Sequence, residues 1–110
     1  MIQKEIICHP VTFGGSTEKG KPYDNFKSGI RNSFKPSEKI PFKDVDVNIS
    51  LYLYSERLKR GNDLDNFLKP IIDALEGKAF SKESQVKSIS IKRVIVSAKD
   101  EEKLSLKISI

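Results

Sequence analysis

Asp63, Asp65 and Lys69 crowd into the short segment between Gly61 and Gly77. Carboxylates held close together repel, and folding tolerates them best when a cation is shared between them. A hard divalent ion such as Mg²⁺, which binds through oxygens and keeps several waters, fits that requirement. The chain carries a net charge of +5, a bias that favours anionic partners. Acidic ligands on a basic chain point to metal-assisted chemistry on phosphate esters. The plainer alternative is that the two aspartates cap a helix and that Asp65 and Lys69 form an ordinary i,i+4 pair.

The elements that would carry these residues are legible in the apolar spacing. Leu64, Phe67, Leu68, Ile71, Ile72 and Leu75 recur every three or four residues, which predicts an amphipathic helix. Asp63 or Asp65 serves as its N-cap and Gly77 as its stop. Pro70 removes a backbone donor, so it is expected to fall early enough to distort only the first turn. Asp73 and Glu76 are expected to face solvent.

Upstream, Ile2 to His9 reads as a strand ending before Pro10, with Cys8 as a buried thiol and His9 in a structural or surface role. Residues 14–22 form a glycine-rich basic loop that lacks the Ser or Thr of a P-loop. Tyr23, Phe26, Ile30 and Phe34 predict a second helix, with Lys27, Arg31 and Lys35 as a basic ridge along it. Val45, Val47, Ile49, Leu51 and Leu53 alternate with Asp46, Asn48, Ser50, Tyr52 and Tyr54, the period of a half-buried strand. Val86, Ile89, Ile91, Val94 and Val96 predict a strand with a slip in register. Lys99 to Lys103 has hairpin-turn character, and Leu104 to Ile110 alternates as a last strand. The order strand, helix, strand, helix, strand, strand defines an α+β fold, a mixed β-sheet with two helices packed on it.

Composition bounds the rest. The 110 residues suit a single domain, 1–110, with one modest core. One cysteine excludes an internal disulfide and a zinc cluster. No signal-peptide core or membrane-length apolar run is present, so no membrane association is expected and the expected compartment is cytoplasmic.

Asp63-Leu64-Asp65-Asn66-Phe67-Leu68-Lys69-Pro70-Ile71-Ile72-Asp73-Ala74-Leu75, followed by Ser84-Gln85-Val86, closely resembles the signature of the RusA-type Holliday junction resolvases. The dense match spans residues 61–86, with a looser likeness over nearly the whole chain. The resemblance implies a RusA-like fold and a homodimeric endonuclease that resolves four-way DNA junctions by paired symmetric hydrolysis. Mg²⁺, with Mn²⁺ as a substitute, is the implied cofactor. Asp63 and Asp65 match the paired catalytic aspartates and Lys69 the family's lysine. The third acidic ligand falls at Glu83, where the family has aspartate, and Lys82 stands where a further acid is common. The longer arm of Glu83 matters because Mg²⁺ demands near-ideal octahedral ligation at roughly 2.0–2.1 Å. Lys19, Lys21, Lys27, Arg31, Arg57, Lys59 and Arg60 are the candidates for backbone phosphates, contacts that position DNA without reading bases. Two alternatives stay open: a branched-DNA-binding protein of this fold with weak or lost catalysis, and a small α+β interaction module.

Overall fold

The computed structural model describes residues 1–10, 21–54 and 64–110, without the side chains of residues 21–23. Its elements are β1 (Ile2–Ile7), α1 (Lys21–Asn32), β2 (Val45–Tyr54), α2 (Leu64–Leu75), β3 (Val86–Val96) and β4 (Lys103–Ser109). They form the expected α+β arrangement of a mixed sheet with two helices.

β2 organises the molecule because its alternation is strict. Val45, Val47, Ile49, Leu51 and Leu53 are all buried, so one face of the strand is committed to the core and its register is fixed. β4 pairs antiparallel with one edge of β2 and β3 pairs parallel with the other, giving the order β1-β4-β2-β3. Parallel neighbours cannot be joined by a tight turn. α2 supplies the crossover from β2 to β3 and packs beside α1. Phe26 and Ile30 of α1 and Phe67, Ile71, Ala74 and Leu75 of α2 meet the apolar side chains of β2 and β4 in one core.

Residues 99–103 do not form a hairpin. β3 and β4 both pair with β2 and never with each other, and Lys99–Glu101 is a 3-10 turn. β4 must pass the end of β2 to reach its slot beside β1, and Glu102 marks that crossing. It is buried, accepts the Tyr54 N–H at 3.2 Å and meets His9 Nδ1 at 3.0 Å. His9 therefore has the structural role expected of it. Glu102→Ala strands the Tyr54 N–H and opens a void at the joint of three strands. We expect a loss of about 1–3 kcal/mol, the cost of leaving a buried donor without its acceptor, read as a lower denaturant midpoint at unchanged slope.

The slip in β3 has two parts. A register shift at Val45/Asp46 places Lys87 in a bulge, with Val86 opposite Val45 and Ser88 opposite Asp46. Beyond it, Ile89 and Ile91 share the helix-side face with Val47 and Ile49, while Val94 shares the open face with Tyr52. Cys8 is half-buried rather than buried. On the helix side, the Lys35 N–H and the Lys4 ammonium, each 2.8 Å from Glu38, hold the Glu38 carboxyl below its usual value and tie β1 to the chain entering β2.

Candidate active site

α2 begins at Leu64 and places Asp65 in its first turn, where the helix dipole favours a negative group. Asp65, Lys69 and Asp73 stand four residues apart and share one stripe of the helix surface. That stripe faces the start of β3. A hollow of about 210 Å³ lies there, lined by Asp65, Leu68, Lys69, Ile72, Asp73, Glu83 and Ile89. Three residues singled out in the sequence thus share one site, Asp65 and Lys69 from α2 and Glu83 from the turn before β3.

Asp73 belongs to the hollow as well and is half-buried, not turned to solvent as expected. The signal was its position, one turn beyond Lys69 and two beyond Asp65. Arg31 Nη1 donates to the Asp73 carbonyl at 3.4 Å. Arg31 and Lys27 are half-buried, and α1 ends at Asn32 before Lys35. The basic ridge foreseen along α1 is therefore not a continuous solvated face.

Pro70 lies in the middle of α2 and is buried there, against the expectation that it would distort only the first turn. It leaves the Asn66 carbonyl without its intrahelical donor but fills the apolar face between Phe67 and Ile71. Gly77 ends the helix with φ +84°, a left-handed conformation that favours glycine.

Glu83 is set by a polar staple that the sequence did not reveal. Gln85 is buried. Its Oε1 accepts the N–H groups of Ser81 and Lys82 at 2.8 and 2.9 Å. Its Nε2 donates to the carbonyls of Ile40 and Lys43, each at 2.9 Å. All the amide's hydrogen-bonding capacity in two directions is used to fix the 3-10 turn Glu83–Gln85 against the segment that enters β2. Glu76 Oε2 accepts the Glu83 N–H at 2.8 Å, closing the turn from the helix side. Lys82 is exposed and does not line the hollow.

Asp63, Lys19, Arg57, Lys59 and Arg60 lie outside the described residues. Lys21 lies in the first turn of α1, its side chain likewise outside them. Among the described residues no three carboxylate, histidine or cysteine side chains gather closely enough to hold a metal ion. The donors at the hollow (Asp65, Asp73 and Glu83) are nonetheless all carboxylate oxygens, the chemistry a hard divalent ion takes.

A mixed sheet with two helices on one face and an acid-lined, lysine-bearing hollow at its edge makes a small α+β domain. The chain belongs to the endodeoxyribonuclease RusA family, which matches residues 11–109. Membership places it among DNA-cutting hydrolases of the Holliday-junction kind. No curated protein matches the chain. Among the described residues no helix is long and apolar enough to cross a membrane.

Proposed function

We propose that this protein is a metal-dependent endonuclease that resolves four-way DNA junctions by paired symmetric phosphodiester hydrolysis, acting as a homodimer. The observation that carries this reading is the meeting of Asp65 and Lys69 from α2 with Glu83 from the turn before β3 in one hollow. Asp63, Asp65 and Glu83 would hold Mg²⁺ or Mn²⁺; Asp73 also lines the hollow that holds Asp65 and Glu83. An ion bound there supplies positive charge against the phosphate and acidity to water.

The chain's own side chains have distinct tasks. Lys69 brings an ammonium to the hollow, where it offsets negative charge developing on the phosphate. Ile72 and Ile89 give the hollow an apolar wall that limits water around the reacting group. Glu76 and Gln85 act through the turn they hold, setting where the Glu83 carboxylate sits. Lys27 and Arg31, with Lys19, Lys21, Arg57, Lys59 and Arg60, would neutralise backbone phosphates and make binding strongly salt-dependent. A two-fold homodimer would present two such hollows to opposed strands of one junction.

The test incubates a synthetic four-way junction and a sequence-matched linear duplex with the protein, in Mg²⁺ and in EDTA. Paired nicks in opposed strands of the junction alone, lost in EDTA, are the expected result. Binding of the junction without nicks would instead assign the chain to the branched-DNA-binding alternative. Nicking unchanged by EDTA would remove the metal from the reading.

A further inference from the structure

The face of the sheet turned away from the helices carries a second polar site. Direct pairing puts Ser105, Ser50 and Lys92 in one row across β4, β2 and β3. The next row holds Lys107, Asn48 and Ser90. Short side chains run along the middle and long lysines stand on either side, so the face is concave, with a hollow of about 460 Å³. Lys92 and Lys107 are separated by about 10 Å across the sheet and about 7 Å along it, from the strand and residue spacings.

The electrostatics of this trough are one-sided. No carboxylate lines it. The two acids nearby on the same face are engaged: Glu5 with Lys103 at 2.5 Å and Asp46 with Ser88 and Lys87. Lys103 is held by that pairing, which raises its pKa, and its ammonium lies over the Tyr52 ring. Among the described residues Lys92 and Lys107 have no acidic partner, and both are exposed.

We propose that this trough is a phosphate-binding shelf for the backbone of a DNA duplex segment, separate from the segment held at the nuclease hollow. Two lysines flank a floor of hydroxyl and amide groups, the side-chain types that contact phosphate and sugar. A protein partner is disfavoured because seven of the eight residues that line the trough are polar or charged and the eighth, Ile49, is buried in the core, which leaves little apolar surface for a partner to bury. The sheet separates the trough from Asp65, Lys69 and Glu83, so one straight duplex does not lie in both. A branched substrate has a second arm to place there, and in this respect the proposal rests on the junction-cutting reading above.

The experiment records amide ¹H–¹⁵N spectra while a short blunt duplex is added in metal-free buffer, with the wild type and with the Lys92→Ala, Lys107→Ala double variant. Junction affinity is measured in parallel over a range of salt. The expected result is movement of the Ser50, Ser90 and Ser105 amides together with those of α2. The double variant then loses the first set and keeps the second. Its plot of log affinity against log salt becomes shallower by about 2, roughly one per lysine–phosphate contact. Replacing both lysines by arginine restores the slope.

Movement confined to α2, with an unchanged slope in the double variant, overturns the shelf and leaves the nuclease reading standing. Movement on the shelf with α2 silent supports the shelf and removes the DNA path assigned to the hollow. Silence at both overturns the shelf, and the nuclease reading is then decided by the junction affinity measured in parallel and by junction cleavage.

Discussion

Asp65→Asn is expected to slow junction cleavage by on the order of 10³-fold, the upper range seen when one preorganised electrostatic group is removed from an enzyme site. Asparagine preserves the volume of the side chain, and Asp65 is exposed, so no packing is lost. What disappears is one negative charge in the first turn of α2. For folding that charge contributes about 0.3–1 kcal/mol through the helix dipole, too little to unfold the domain. For binding the change is mildly favourable, since it removes repulsion against phosphate. The expected signature is therefore a split: single-turnover cleavage nearly lost, junction affinity equal or slightly tighter, and a denaturation midpoint close to that of wild type. Cleavage at the wild-type rate would mean that Asp65 only caps and solubilises its helix. The split matters because a helix-capping role predicts the reverse pattern, a small stability change with no kinetic one.

How far the sequence reached can be judged element by element. The alternation of β2 placed that strand at Val45–Tyr54, because a period of two with one buried face admits a single register. The three-and-four spacing of α2 located the helix equally well, since the apolar stripe must face the sheet. Asp65, Lys69 and Glu83 were legible as a set through the family likeness, and the fold brings them to one hollow. Sheet order was a different matter. The polar run Lys99–Lys103 has the local chemistry of a hairpin turn, but local chemistry does not say which strand lies beside which. β2 already pairs with β3 through the α2 crossover, and its other edge is open to β4. Non-local pairing therefore decided the topology.

The misreadings of single side chains have a similar origin. Asp73 faces solvent when its own helix is considered alone. The start of β3, which turns its flank of the helix into a hollow, was invisible. Pro70 was expected to sit at the edge of the helix because an isolated helix tolerates it only there. In the folded chain its ring is buried in the core, and that packing offsets the lost hydrogen bond. The spacing along α1 puts Arg31 on a basic ridge, yet its guanidinium reaches the Asp73 main chain on the neighbouring helix.

Gln85 is the residue whose loss should most clearly join stability to function. Gln85→Leu keeps most of the side-chain volume but deletes four hydrogen bonds at once. Water can reach the Lys82 N–H, because Lys82 is exposed, and rehydration offsets part of the cost. The remaining unpaired groups, at about 1–3 kcal/mol for each that stays dry, give an expected loss of about 3 kcal/mol. That is a large fraction of the 5–15 kcal/mol typical of a domain. The turn Glu83–Gln85 then keeps its own backbone bonds and the bond to Glu76 but loses its tie to the segment entering β2, so Glu83 loses its fixed place and cleavage should fall even at temperatures where the variant remains folded.

Gln85→Glu separates the acceptor half of the staple from the donor half. The introduced carboxyl still accepts from Ser81 and Lys82, but when ionised it turns an oxygen toward the carbonyls of Ile40 and Lys43. Only the protonated form can donate there, and burial also favours that form, so its pKa rises on folding. A group raised in this way stabilises fully below its unfolded value, about 4.3, and that stabilisation is lost as pH climbs through the folded value. The stability gap between Gln85→Glu and wild type should accordingly narrow in acid and widen toward neutral pH, whereas the gap for Gln85→Leu should not follow the titration of an introduced carboxyl. Denaturation curves across that range read the difference directly. A gap for Gln85→Glu that does not change with pH would show that the two carbonyls do not depend on Nε2, and the positioning role of Gln85 would fall with it.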